Sequence, residues 1–355
     1  MLKALLSDDF PKSRLLSVAL LIILVSLAGA PFLFEGAQAL NTAAKICVFI
    51  VLVASYDLLL GYTGIVSFAH TMFFGLGAYG VALAMTNWGA TWTALLAGIV
   101  AAVVAGIALA LVIGLFALRV RAIFFAMMTL AVASAFAVLA AQLSSITGGE
   151  DGLTFSVPAL LRPSARLFEV PGLGMITGKI LTYYLVFLTS LVLFLFLLRV
   201  VNSPFGRALQ AIRENDRRAE SLGFRTVRYR VGANVLAAAV AVLAGALNAL
   251  WLRYTGPDVT LSFTVMIDVL LMVVIGGTGT LYGAVIGATL LIGAQNYLQR
   301  AMEWASSAAA DLGPLARLVH PDRWLLLLGI AFVLVVYFFP EGLVGRLRKR
   351  RTLGA

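Results

Sequence analysis

From Ile180 to Leu198 the chain runs without a charged side chain. At ~1.5 Å of rise per residue, a helix of that length reaches across a hydrocarbon core of about 30 Å. Comparable runs recur along the whole sequence, and they constrain the fold more than any motif does. In lipid a backbone N–H or C=O finds no water to bond, so a segment of this kind must satisfy its own backbone as a helix. The chain therefore reads as an all-α polytopic membrane protein. Composition agrees, since 62% of the 355 residues are hydrophobic and 12% are charged, which excludes an ordinary soluble globule.

Apolar runs and turn residues predict spans over 15–33, 43–60, 64–86, 93–118, 122–143, 180–198, 231–252, 261–275, a ninth ending near Leu298, and 324–339. Gly61-Tyr62-Thr63-Gly64 reads as a tight turn between the second and third. Ala37-Gln38-Ala39 imitates a signal-peptidase site, but the first apolar run exceeds the about 7 to 15 residues of a signal-peptide core, so an uncleaved helix is expected. Orientation follows from the basic residues. Lys3, Lys12 and Arg14, then Arg119 and Arg121, then 199–230, then Arg346, Arg348, Lys349, Arg350 and Arg351 all fall on one side when the chain crosses ten times. That side is cytoplasmic by the excess of Lys and Arg, and both termini lie there. Merging the glycine-rich hairpins would reduce the count to eight or nine. Residues 144–179, with Thr147-Gly148-Gly149-Glu150-Asp151-Gly152, form the longest connection on the outer side, and 299–323 reads as an outer amphipathic segment. The expectation is a single transmembrane domain over 1–355.

Residues 199–230 form the long polar stretch on the cytoplasmic side. Eight arginines stand against Glu214, Asp216 and Glu220, a net of +5 out of +10 for the chain. Ser203-Pro204 is an N-cap and first-turn pair, Ala208, Leu209 and Ile212 share a helical face, and Asn215 or Asp216 can cap a second short helix ending at Gly223. A structured helical loop is expected. The charge does not indicate nucleic acid, because the aromatic residues sit inside apolar spans instead of interleaving with the arginines.

The chemistry present is that of passage. No GxxxxGK[ST] occurs: Gly178-Lys179 lacks the first glycine and is followed by Ile180. His70 and His320 are the only histidines, Cys47 is the only cysteine, and no cluster has metal spacing. No catalytic residue, cofactor or metal is expected. Within the spans, Lys45, Asp57, His70 and Asp268 each cost at least ~2.5 kcal/mol at mid-bilayer unless partnered or wetted. Lys45 is expected to snorkel to the outer interface and Asp57 to lie near the inner one. Asp268 falls about 10 Å along its helix, where a bundle-facing partner or a polar cavity is required. Transporter sites favour glycine-interrupted helices, which here are 61–80 and 276–293. Ser67, His70, Thr71 and Asp268 are therefore expected to line a path, among Phe68, Phe73, Phe74 and Met272. Gly279, Gly283 and Gly287 recur every four residues and read as one close-packing helix face.

GYTGIVSFAHTMFFGLGAY at 61–79, TGGEDGL at 147–153, SPFGRALQAIREND with AESLG at 203–223, GGTGTLYGAVIGA at 276–288 and FPEGLVG at 339–345 resemble, in order, the permease subunits of bacterial branched-chain amino-acid ABC importers. The likeness is to the larger of the two paralogous permeases and covers nearly the whole chain. Where members often carry glutamine after the second glycine of the first motif, this chain has Ile65. The resemblance implies a permease in the bacterial cytoplasmic membrane that is not itself an enzyme. Its implied partners are a paralogous permease subunit, two ATP-binding subunits and an extracytoplasmic solute-binding protein received by 144–179 and 253–260. It also implies that 199–230 is the loop coupling to the ATPase, through Arg207, Arg213, Glu214, Glu220 and Gly223, with Glu220 to Gly223 as its acidic-to-glycine core. The solute stays open between a branched-chain amino acid and urea, an amide or an aromatic acid. Two other readings stay open on the residues alone: an ion-coupled secondary transporter using Asp57 and Asp268, and a structural membrane subunit.

Overall fold

A computed structural model of the protein describes residues 13–33, 36–117, 122–170, 174–308, 323–339 and 341–349. Lys3, Lys12, Arg119, Arg121, Arg350, Arg351 and most of the proposed outer segment, including His320, lie outside the described residues. Each expected span is a helix: α1 (Arg14–Ala28), α2 (Ala37–Thr63), α3 (His70–Trp88), α4 (Trp92–Ala117), α5 (Ala122–Gln142) and α6 (Gly178–Val201). The chain continues through α7 (Pro204–Glu214), α8 (Asp216–Ser221), α9 (Thr226–Leu252), α10 (Phe263–Gly276), α11 (Leu281–Ala308), α12 (Trp324–Phe338) and α13 (Gly342–Lys349). Among the described residues, eight helices are long and apolar enough to cross a membrane, and the chain is a multi-pass membrane protein.

Several boundaries differ from expectation: α1 stops at Ala28 before a short helix Ala30–Leu33, and α11 runs past Leu298 to Ala308. Helix α2 begins at Ala37, so the sequence that imitates a cleavage site forms its first turn, and Leu40 and Thr42 are buried. At its other end α2 passes straight through Gly61 to Thr63 and stops at Gly64, whose φ of 73° is left-handed. Residues 64–67 are then non-helical, and α3 starts only at His70. Gly61 does not break the helix because its missing Cβ serves a close approach instead, described below.

Burial reverses the order found in water. Helices α2 and α9 are the most enclosed, whereas few residues of α4, α5 and α12 are buried. The outer helices carry their large apolar side chains outward, such as Val100 and Val104 on α4 and Ile123 and Met127 on α5. Lipid is as apolar as leucine, so these faces lose nothing there, and the centre is held by close backbone packing. Helix α3 lies against α9 through Gly77 and Gly245. A Cβ on Gly77 would fall 1.8 Å from the Val242 carbonyl oxygen, and one on Gly245 would fall 1.8 Å from that of Phe74. Ala237, Ala238, Ala241 and Ala244 keep the remainder of α9 equally thin, and all four are buried.

Among the described residues the strands are four and short: β1 (Leu153–Thr154), β2 (Arg166–Val170), β3 (Gly174–Thr177) and β4 (Tyr254–Thr255). Strands β2 and β3 form a hairpin, while β1 pairs with β4, Leu153 opposite Thr255. Tyr254 also donates its hydroxyl to the Asp151 carbonyl at 3.0 Å. The two connections expected on the outer side, 144–179 and 253–260, are thus joined into one cap.

Candidate functional site

The basic loop is folded, and sequence-local chemistry explains how. Ser203 Oγ accepts from the Gly206 N–H, Pro204 opens α7, and Asn215 Oδ1 accepts from the Arg218 N–H to start α8. Helix α7 is amphipathic. Ala208, Leu209 and Ile212 are buried against the bundle, while Arg207, Arg213 and Glu214 are exposed. Glu220 accepts from the Thr226 hydroxyl at 2.9 Å, tying α8 to the first turn of α9, and Arg230 reaches Asp216 at 3.1 Å. Gly223, with φ of 90°, makes the turn between them.

From that platform Arg213, though exposed, lies against the end of α2 and donates from Nη1 to the Gly61 carbonyl. Directly beside it Asp57, one α-helical turn earlier on α2, is 1% exposed and accepts from the Gly279 backbone N–H at 2.8 Å through Oδ1. Gly61 must be glycine here: a Cβ would stand 2.1 Å from Asp57 Oδ1 and 2.3 Å from the Gly279 nitrogen. Gly279 itself lies in the break between α10 and α11, at φ of 79°. Its placement on a helical packing face is therefore corrected. The four-residue glycine period continues a helix pattern backward into a turn that only a residue tolerating positive φ can make. Gly283 and Gly287 do lie on α11, against the backbone of Gly276 and Met272. The 339–345 motif packs on the same break, with Gly342 against Gly277. Four of the five sequence motifs thus meet at one end of the bundle.

Ser67, His70 and Thr71 occupy a second place. All three are buried, at 1%, 1% and 2% exposure, where the non-helical stretch enters α3. Ser55 donates its hydroxyl to the Leu52 carbonyl at 2.7 Å, so its oxygen accepts from His70 Nε2 at 2.8 Å. That leaves His70 Nδ1 buried with no hydrogen-bond partner among the described residues. The Tyr56 ring packs 5.3 Å from the imidazole, and Thr129 Oγ1 accepts from the Phe68 N–H at 3.1 Å.

Asp268 lies apart from that group. Gln295 of α11 donates Nε2 to both of its oxygens at 3.1 Å. The carboxylate lines a cavity of about 620 Å³ between α2, α9, α10 and α11, together with Lys45, Asn248 and Trp251. Lys45 has its Nζ over the Phe49 ring at 5.5 Å, and both residues line the same cavity. Lys45 is twelve residues from Asp57, or about 18 Å along α2, so this helix joins the cavity to the Arg213 end. Sequence reasoning missed Lys45 as a lining residue and Asp57 as an anchor. Among the described residues, no group of three or more His, Cys, Asp or Glu side chains gathers as a metal site.

Comparison with known proteins gives a consistent outcome. The family model for the branched-chain amino acid transport system permease component matches residues 38–336. The chain is 28% identical, over 96% of its length and 77% of the relative's, to the high-affinity branched-chain amino acid transport system permease protein LivM of Salmonella typhimurium. It is 27% identical over the same shares to the protein of that name from Escherichia coli. The probable branched-chain amino acid transport permease protein LivM of Methanocaldococcus jannaschii is 28% identical over 48% of each chain.

Proposed function

The chain belongs to the permease components of branched-chain amino acid transport systems, and from that premise we propose that it carries a branched-chain amino acid or a related small amphipathic solute inward across the bacterial cytoplasmic membrane. It is one half of a pseudo-symmetric pair with a paralogous permease. Two separate ATP-binding subunits drive it, and an extracytoplasmic binding protein docks on the cap formed by 144–179 and 253–260. The loop 199–230 is the coupling element, with Arg207, Arg213, Glu214, Glu220 and Gly223 in contact with the ATPase or setting the shape it grips.

One observation carries this reading: Arg213 of the loop is bonded to Gly61, beside the Asp57–Gly279 contact. A push on α7 would therefore be delivered to the end of α2 and to the break between α10 and α11 at once, through groups held by hydrogen bonds instead of by loose apolar contact. Exposed Arg207 and Glu214 on the outer face of α7 offer charges that fix the register of a docked partner. The test is solute-stimulated ATP hydrolysis by the reconstituted transporter. Arg213→Glu combined with Glu220→Ala should insert in the membrane and lose that stimulation; normal transport by this variant would refute the coupling role.

The ion-coupled alternative rests on Asp57, whose Oδ2 is buried without a hydrogen-bond partner among the described residues. Uptake that persists without the partner ATPase and collapses with the proton gradient would favour that alternative. Uptake that stops without the ATPase supports the importer.

A further inference from the structure

The cavity around Asp268 is built for a particular class of ligand. It brings a cation on α2, Lys45, and two carboxylates, Asp268 on α10 and Asp258 just before it, to one space. No ion pair joins Lys45 to either carboxylate among the described residues. Lys45 instead rests on Phe49, and Asp268 is held by the neutral amide of Gln295. Opposite charges thus line one cavity without a direct ion pair, each beside a neutral neighbour. A ligand with a single charge would find an opposite partner in only one of these groups and a like charge in the other. A ligand bearing both charges a short distance apart compensates both. Phe49, Trp251 and Val265 also line the cavity, with Asn248 among its neutral polar groups, so it offers a surface for an apolar side chain. The volume, about 620 Å³, lies within the roughly 300–1,000 Å³ typical of small-ligand pockets.

We infer that this cavity is a binding station for a zwitterionic α-amino acid with an apolar side chain, its carboxylate toward Lys45 and its ammonium toward Asp268 and Asp258. The inference rests on the permease reading above and adds the ligand groups and the residues that meet them. The volume exceeds what a small amino acid fills, so water shares the cavity and binding is weak. A station on a path must release what it accepts.

The full chain in nanodiscs of phosphatidylglycerol, which present no zwitterionic headgroup, gives a direct test through tryptophan fluorescence, since Trp251 lines the cavity. L-leucine should change the emission saturably, whereas leucinamide and 4-methylpentanoic acid, each lacking one charge, should bind at least tenfold more weakly. Asp268→Asn and Lys45→Met, checked for unchanged thermal unfolding, should each weaken L-leucine at least tenfold, and Trp251→Phe should remove the signal. Equal responses to the three ligands, or full L-leucine binding by both charge variants, would overturn the proposal. So would loss of the L-leucine response in discs containing phosphatidylethanolamine, because the cavity would then belong to lipid headgroups. If another zwitterion binds with the same dependence on Lys45 and Asp268 while L-leucine does not, the station stands and the branched-chain reading fails. If ATP-driven leucine uptake is normal in both charge variants, the importer stands and the station fails.

Discussion

Gly279 donates its backbone N–H to Asp57 Oδ1 at 2.8 Å, across 222 residues of sequence. The contact fastens the turn between α10 and α11 to the end of α2, beside the carbonyl that Arg213 holds. An intramembrane carboxylate that would be expensive alone is used here to satisfy a backbone donor in a turn that cannot satisfy itself.

Asp57→Asn keeps an oxygen acceptor at the same place, whereas Asp57→Ala leaves the Gly279 N–H buried and unbonded. The alanine variant should lose about 1–3 kcal/mol of stability, the cost of an orphaned buried donor, and the asparagine variant clearly less. Thermal unfolding of the purified protein in detergent compares the two. Equal loss in both would mean that the negative charge, and not the acceptor, is what the site requires.

Arg213 tests the connection and not the fold. The apolar face of α7, with Leu209 and Ile212 at 0% and 1% exposure, holds that helix down without the guanidinium. Arg213→Ala should therefore accumulate in the membrane at a normal level, while solute-stimulated ATP hydrolysis falls tenfold or more. Arg213→Lys should recover part of the stimulation, because a lysine can reach a carbonyl but presents one point charge in place of a planar fork. Coupling at the level of the unmodified protein in Arg213→Ala would show that the Gly61 contact carries no force.

The centre of the bundle has its own test. Gly77→Ala and Gly245→Ala each place a methyl group where a carbonyl oxygen of the facing helix stands. Either change must push α3 away from α9, at a cost of about 1–3 kcal/mol typical of overpacking. The contacts share one interface, so the double variant should cost less than the sum of the singles. Additive losses, measured by thermal unfolding, would contradict a single shared interface.

Much of this arrangement was legible in the sequence because it is local. The Ser203-Pro204 start, the Ala208, Leu209 and Ile212 face and the Asn215 cap are short-range patterns, and each lies where its own residues put it. Gly279 was misplaced because a glycine every fourth residue looks the same whether the first belongs to a helix or to the turn before it. Asp57 was expected near the inner interface, and it stands beside Arg213 of the loop; its anchoring role was missed because its partner is a backbone N–H, which has no signature in a sequence. Lys45 was missed for a related reason: a lysine near the end of a span reads as snorkelling unless the Asp268 side of the cavity, on another helix, is already known. Ser67, His70 and Thr71 were grouped with Asp268 by their glycine-rich surroundings. The fold instead puts α2 residues Ser55 and Tyr56 beside the histidine.

That separation yields the last prediction. The only cysteine in the chain is Cys47, which is buried at 2% exposure, so cysteines introduced one at a time report against a silent background. In the absence of nucleotide, cysteines at Asn41, Val265 and Asp268, which line the cavity, should react with small aqueous thiol reagents. Cysteines at Ser67, His70 and Thr71 should not, because these positions are buried. If both places belong to one path, opening of the coupling end must expose the second group, and Ser67→Cys and Thr71→Cys should become reactive once the partner ATPases are trapped with nucleotide. A helix that begins at His70 after a non-helical stretch is suited to such opening, since the chain around 64–67 can shift without breaking a helical ladder. Reaction at 265 and 268 together with silence at 67 and 71 in both nucleotide states would confine the path to the cavity. Ser67, His70 and Thr71 would then be packing residues of α3.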